Sequence, residues 1–175
     1  MALSIGDSAP TFVLPGTDGR QHAYGGEDEN ATVIIFTCNH CPYALAWEER
    51  LLQIGRDYRH DGVRILAINP NDVNIKPADS FENMKTRHEE NSWPFPYLRD
   101  ESQEVATAYG AKTTPDIFIF NSDNQLAYRG APDAGYEDES QNASWVRDAL
   151  DALLAGNTPA TQETEPVGCS VKWKA

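Results

Sequence analysis

Residues 31–37 read Ala-Thr-Val-Ile-Ile-Phe-Thr, a β-branched apolar run in which polar and apolar positions do not alternate. A strand with one wet face alternates, so this run demands cover on both faces, the pattern of a central strand between layers of helices. The run ends at Cys38-Asn39-His40-Cys41-Pro42. Pro42 suits a first helical turn, where its missing N–H costs nothing. The spacing predicts a helix from there to about Arg59, with apolar residues at Leu45, Leu51, Leu52, Ile54 and Tyr58. A second unalternated run, Val63–Asn69, follows. Strand, helix and strand in that order imply a parallel pair joined by a right-handed crossover.

The rest of the chain extends the pattern. Gly6–Gly19 reads as a short strand and turn, with Asp18-Gly19 as a hairpin signal and Pro10 and Pro15 at edge positions. A helix over about 79–89, a short strand at 95–98 and a helix near 102–109 come next. Residues 116–120 and 125–129 form a hairpin across Asn121–Asn124, and Trp145, Val146, Leu150 and Leu153 mark an apolar face on a last helix, 142–154. The fold class is therefore α/β, a mixed central sheet with helices on both faces and an N-terminal hairpin extension. One domain, 1–156, is expected, followed by a tail, 157–175. Val167, Val171 and Trp173 need cover, which predicts that the tail docks on the domain.

Two thiols sit where a buried strand gives way to a helix. Thiolate is the nucleophile of sulfur chemistry, and the free N–H groups and dipole of a helix N-terminus favour it. In such settings thiol pKa values fall to about 3.5–7.5, from about 8.5 for free cysteine. The spacing makes Cys38 the exposed attacking thiol, with Cys41 shielded one turn further in to resolve the mixed disulfide. A protonated His40 adds to the stabilisation of a Cys38 thiolate.

Cys38-Asn39-His40-Cys41 after an apolar strand, with Thr113-Thr114-Pro115 before another, resembles the thioredoxin-like superfamily. The opening segment and the extra helical segment between Asn69 and Phe95 are similar to its AhpC/TSA branch, which holds peroxiredoxins and thiol reductases. Thr37–Tyr43, Ala67–Asp72 and Gly168–Lys174 resemble a "thioredoxin family protein" group within that branch, and this likeness covers nearly the whole chain. It implies a thioredoxin-like fold and a thiol-disulfide oxidoreductase, with antioxidant activity a further possibility. It implies a cis peptide bond before Pro115, which packs beside the cysteines, and backbone groups of Thr114 that hold an extended substrate. Asn39 is the second candidate substrate-binding position. Two departures stand out. Thr32 occupies the position of thioredoxin's buried acid, and Ile35 and Ala31 stand where peroxiredoxins carry a hydroxyl residue and a proline.

Disulfides of proteins or small molecules are the expected substrates, and a dithiol reductant such as a thioredoxin system the expected partner. No cofactor and no metal are called for. A net charge of −13 argues against nucleic acid and anionic membranes, and no apolar run approaches the roughly 20 residues of a membrane helix. Three cysteines are too few for a secreted disulfide scaffold, and no basic-then-apolar leader opens the chain, so a cytoplasmic setting is expected. Cys169 is a possible third redox thiol. Two other readings stay open: a divergent thiol peroxidase, and a non-enzymatic binding module that holds metal through Cys38, Cys41, Cys169 and His40. Asp116 starts a strand, and the acidic runs Glu27–Glu29 and Tyr136–Glu139 are solvated loops.

Overall fold

The computed structural model describes residues 3–25 and 29–175; Glu27 and Asp28 lie outside the described residues. Five strands form the main sheet: β3 (Ala31–Phe36), β4 (Val63–Asn69), β5 (Tyr97–Arg99), β7 (Asp116–Phe120) and β8 (Leu126–Gly130). Their order is β5-β4-β3-β7-β8. β3, β4 and β5 are parallel, whereas β7 runs antiparallel to β3 and β8 antiparallel to β7. All six residues of β3 are buried, as its unalternated composition demands.

Side-chain parity divides the core into two layers. Val33, Ile35, Ile65, Ala67, Ile117 and Ile119 face one side and meet helices α1 (Pro42–Asp57), α2 (Phe81–Glu90) and α4 (Ser144–Leu154). Ile34, Phe36, Leu66, Ile68, Phe118 and Phe120 face the other and meet α3 (Glu104–Tyr109) and the hairpin of β1 (Phe12–Pro15) and β2 (Gln21–Tyr24). Helices therefore cover both faces of a mixed sheet. Tyr109 sits in the second layer at edge-to-face angles to Phe12, Phe36, Phe118 and Phe120, the geometry that aligns ring edges with ring faces.

One buried carboxylate ties the first layer together. Asp133 accepts hydrogen bonds from Trp47 Nε1 at 2.9 Å, from Arg50 Nη1 at 3.0 and 3.1 Å, and from the Gly135 and Ala143 N–H groups. This joins α1 to the segment before α4. Asp133→Ala would leave the Arg50 cation without its counter-charge, and losing one partner of a buried pair costs about 3–5 kcal/mol. At about 2–4 °C per kcal/mol for a chain of this size, the midpoint of thermal unfolding should fall by about 10 °C.

Two stretches of the C-terminal segment, 162–164 and 169–174, hydrogen-bond to the rest of the chain. Arg129 N–H donates to Gln162 O and Thr164 N–H to Arg129 O, which occupies the free edge of β8. Further on, β9 (Cys169–Ser170) pairs antiparallel with β6 (Thr113–Thr114), with Cys169 opposite Thr114. Val171 is buried, but Val167 and Trp173 stay exposed, at 38 % and 41 %. Among the described residues, no helix is long and apolar enough to cross a membrane.

Candidate active site

Cys38 follows the end of β3, and Cys41 is the N-cap residue of α1, in extended conformation with Pro42 behind it. The bend between them brings the Cys41 N–H to Cys38 Sγ at 3.3 Å. From the opposite side comes the loop before β7, where the Thr114–Pro115 peptide bond is cis. Thr114 Oγ1 lies 3.3 Å from Cys38 Sγ, and the Thr114 carbonyl lies 3.3 Å from Cys41 Sγ. Cys169 packs against the pair. Cys38, Cys41, Thr114 and Cys169 thus come together, with Pro115 following Thr114 in the chain, and all three cysteines are free thiols.

Cys38 is not the exposed thiol that the spacing predicts. It is 2 % exposed, and Cys41 is wholly buried. The reason is tertiary: Thr114 closes over the pair from one side and the Asp79 turn flanks it on the other, with Cys169 and Tyr43 packed against it.

The two sulfurs titrate together. Their mutual hydrogen bond, followed by burial and the nearby Asp79 carboxylate, pushes Cys38 up. The same hydrogen bond, helped by the Cys169 thiol and the Ala44 and Cys169 N–H groups, brings Cys41 down to about 4. One proton is shared between them. On Cys38, it leaves a Cys41 thiolate at the N-cap of α1. On Cys41, it points to the Thr114 carbonyl, and Cys38 then accepts from the Cys41 N–H and the Thr114 hydroxyl.

Asp79 is the residue the sequence reading missed. It ends a 3₁₀ turn, Pro77–Asp79, and is fully buried. Its Oδ1 accepts from the Asn39 N–H at 2.6 Å and from Asn69 Nδ2 at 3.1 Å. Its Oδ2 accepts from Asn71 Nδ2 at 3.0 Å and stands 2.6 Å from His40 Nδ1, a close approach that does not meet hydrogen-bond geometry. A carboxylate thus stands beside the cysteines although position 32 holds threonine. Two asparagines at the carboxyl end of a central strand, where α/β sheets gather their sites, are the signal that pointed to it.

Asn39, read as a substrate contact, spends its groups inside the protein. Its Nδ2 donates to Ala78 O, and its Oδ1 accepts from Tyr97 Oη. Asp116 lies buried at the start of β7, engaged by the Lys112 N–H at 3.0 Å and Arg129 at 3.5 Å. Burial raises it to about 6.

Among the described residues, Cys38, His40 and Asp79 are the donor set most like a metal centre, with ligand atoms within 4.8 Å of one another. A carboxylate has about four lone-pair directions. Three N–H donors and the His40 ring already face those of Asp79, so the cluster is better suited to positioning the cysteine loop than to holding an ion.

Comparison with known proteins agrees with this chemistry. An uncharacterized conserved protein from Geobacillus kaustophilus, known from its crystal structure, is 42% identical, with a TM-score of 0.93 over 98% of this chain and 93% of that one. The thiol-disulfide oxidoreductase ResA of Geobacillus thermodenitrificans is 27% identical over 128 residues, 71% of this chain and 68% of that protein. A putative peroxiredoxin of Mycobacterium tuberculosis is 29% identical over 109 residues, 62% of this chain and 65% of that protein. The profile of one family matches residues 5–129, from before the hairpin into β8, and so takes in both the cysteine pair and the cis-proline loop. This chain belongs to the AhpC/TSA family.

Proposed function

We propose that the protein is a thiol-disulfide oxidoreductase that works through Cys38 and Cys41. The observation that carries the reading is the pairing of two reduced sulfurs, bridged by one hydrogen-bond network, at a strand-to-helix junction under Thr114. With the shared proton on Cys41, the Cys38 thiolate attacks a substrate disulfide, and one substrate thiolate leaves. Cys41 then gives up its proton and attacks Cys38 Sγ, which releases the second substrate thiol and leaves a Cys38–Cys41 disulfide. Disulfide substrates and a regenerating dithiol are the partners this chemistry needs. Asn39 and His40 act as positioning residues, through Asp79.

The test is a glutathione-buffer titration with mass-spectrometric thiol counting on the Cys169→Ser chain. A single reversible two-electron transition is expected. No reversible Cys38–Cys41 disulfide at any buffer ratio would overturn the reading.

The shared proton makes a second prediction. Absorbance at 240 nm should report one thiolate per chain by about pH 5, one unit above the Cys41 value of about 4. It should then stay level through neutrality, because Cys38 and Cys169 are both pushed up. A thiolate signal that first rises near pH 8.5 would mean that the pair shares no proton.

A thiol peroxidase is the second reading. The Thr114 hydroxyl, 3.3 Å from Cys38 Sγ, offers a hydrogen bond of the kind Ile35 cannot. Here the Cys38 thiolate attacks one peroxide oxygen, the O–O bond breaks and the other oxygen leaves as water or an alcohol; the sulfenic acid so formed condenses with the Cys41 thiol to the disulfide and a second water. Peroxide consumption no faster than that of free cysteine would dismiss it.

A further inference from the structure

The redox pair is buried, at 2 % and 0 % exposure, although a dithiol that serves other molecules needs a route for electrons. The sulfur that touches the pair and still meets solvent is Cys169, which is half-buried. It does not arrive there on a loose tether. Upstream, residues 162–164 hydrogen-bond along β8. Downstream, Val171 is buried and its N–H donates to Lys112 O. The Lys172 N–H donates to Asn71 Oδ1, and its carbonyl accepts from the Asp72 N–H and Gln103 Nε2. Between these clamps, the β6–β9 register puts Cys169 opposite Thr114, the residue that touches both Cys38 and Cys41. Gly168 allows the approach, because a Cβ there would run into the Thr114 carbonyl.

We propose that Cys169 is a third redox thiol, held against Cys41 by the β6–β9 pairing, which carries the disulfide out of the buried pair as Cys41–Cys169. The proposal rests on the reading of Cys38 and Cys41 as a redox pair. In the step, the Cys169 thiolate attacks Cys41 Sγ of the Cys38–Cys41 disulfide. The bond between Cys38 and Cys41 breaks, Cys38 leaves as thiolate, and the proton released by Cys169 neutralises it. One disulfide replaces another, so no external oxidant or reductant is consumed. A dithiol partner then attacks the accessible Cys169 sulfur, returns Cys41 and Cys169 to thiols, and departs with its own disulfide.

Oxidation of the pair makes Cys169 a readier nucleophile. In the reduced protein, burial and then contact with Cys41 push Cys169 up to about 11, against the pull of Lys172 and Lys76. Oxidation removes the Cys41 charge, so Cys169 ionises more readily in the state in which it must attack.

The test maps disulfides in the full chain. Wild-type, Cys38→Ser, Cys169→Ser and Gly168→Val proteins are equilibrated in glutathione buffers, acid-quenched, alkylated, and digested without reduction for mass spectrometry. Oxidised Cys38→Ser should carry mainly an internal Cys41–Cys169 disulfide, and partly oxidised wild-type protein should yield that peptide pair beside Cys38–Cys41. Gly168→Val should lower the equilibrium constant for Cys41–Cys169 by about tenfold or more and change that for Cys38–Cys41 less than twofold, since an undocked tail has only the millimolar effective concentration of a flexible tether. Cys41 and Cys169 that end in Cys38→Ser as separate glutathione adducts would overturn the proposal, as would equal constants with and without Gly168. If Cys169→Ser still forms Cys38–Cys41 reversibly, such a failure belongs to the relay alone. If it does not, the redox-pair reading fails with it.

Discussion

Cys41→Ser is expected to abolish catalysed thiol–disulfide turnover, by about a thousandfold or more, as completely as loss of the attacking Cys38 and far more than loss of Cys169. Cys41 is the sulfur in contact with both neighbours: Cys38 through their shared hydrogen bond and Cys169 through the packing of β9 against the loop. Without it, neither internal disulfide forms. Cys38 can still attack a substrate, but nothing resolves the product, so the protein should accumulate as a mixed disulfide at Cys38. The measurement is release of the second thiol of a small aromatic disulfide by stoichiometric pre-reduced protein with no added thiol, with intact-mass analysis of the trapped adduct. Cys169→Ser should keep single-turnover chemistry and slow only regeneration. A Cys41→Ser protein with more than a tenth of the wild-type rate would show that Cys41 is not the shared sulfur.

Asp79→Ala carries the next largest effect. It removes the common acceptor of the Asn39 N–H, Asn69 Nδ2 and Asn71 Nδ2, and the carboxylate beside His40. Buried donors left without partners cost about 1–3 kcal/mol each, and relaxation of the loop recovers part of that. A loss of about 3–5 kcal/mol is expected, which lowers the unfolding midpoint by about 10 °C or more. Asp79→Asn separates the charge from the shape. The Asp79 carboxylate is one of the groups that push Cys38 up. Removing its charge should therefore move the second ionisation of the cysteine pair to lower pH. The pH dependence of the 240 nm absorbance reads this directly. If Asp79 serves only as scaffolding, Asp79→Asn will lower the unfolding midpoint and leave the titration where it was.

The elements that carry the site were legible because their signals are local. The unalternated run 31–37 became the fully buried β3, and Val63–Asn69 became β4 with the same bounds. Pro42 starts α1, and the Asp18-Gly19 signal lies in the turn between β1 and β2. In each case the residues that decide the conformation are neighbours in sequence, so propensity, periodicity and turn chemistry are readable there. The Thr-Pro loop was legible in another way, through the likeness to a family whose sites pair such a loop with two cysteines.

What escaped the sequence reading depended on residues far apart in the chain. Burial of Cys38 could not be read from its spacing to Cys41, because the group that closes over it, Thr114, lies 76 residues away. Asp79 looked like an ordinary residue at the start of a helix. It became a buried carboxylate because the ends of β4 and the cysteine loop aim Asn69, Asn71 and Asn39 at one point. Trp173, expected to need cover, remains at the surface, while the smaller Val171 is the tail residue that packs into the core.

The sequence by itself determined the order of elements, the parallel crossover, and the strand-to-helix junction that holds two thiols, because each follows from periodicity and backbone chemistry within a short window. Tertiary structure alone decided which sulfur meets solvent, where the nearby carboxylate comes from, and that Cys169 lies against Cys41. Exposure and charge at a point are sums over everything packed around it, and here that packing joins β3, the Asp79 turn, the cis-proline loop and the C-terminal tail.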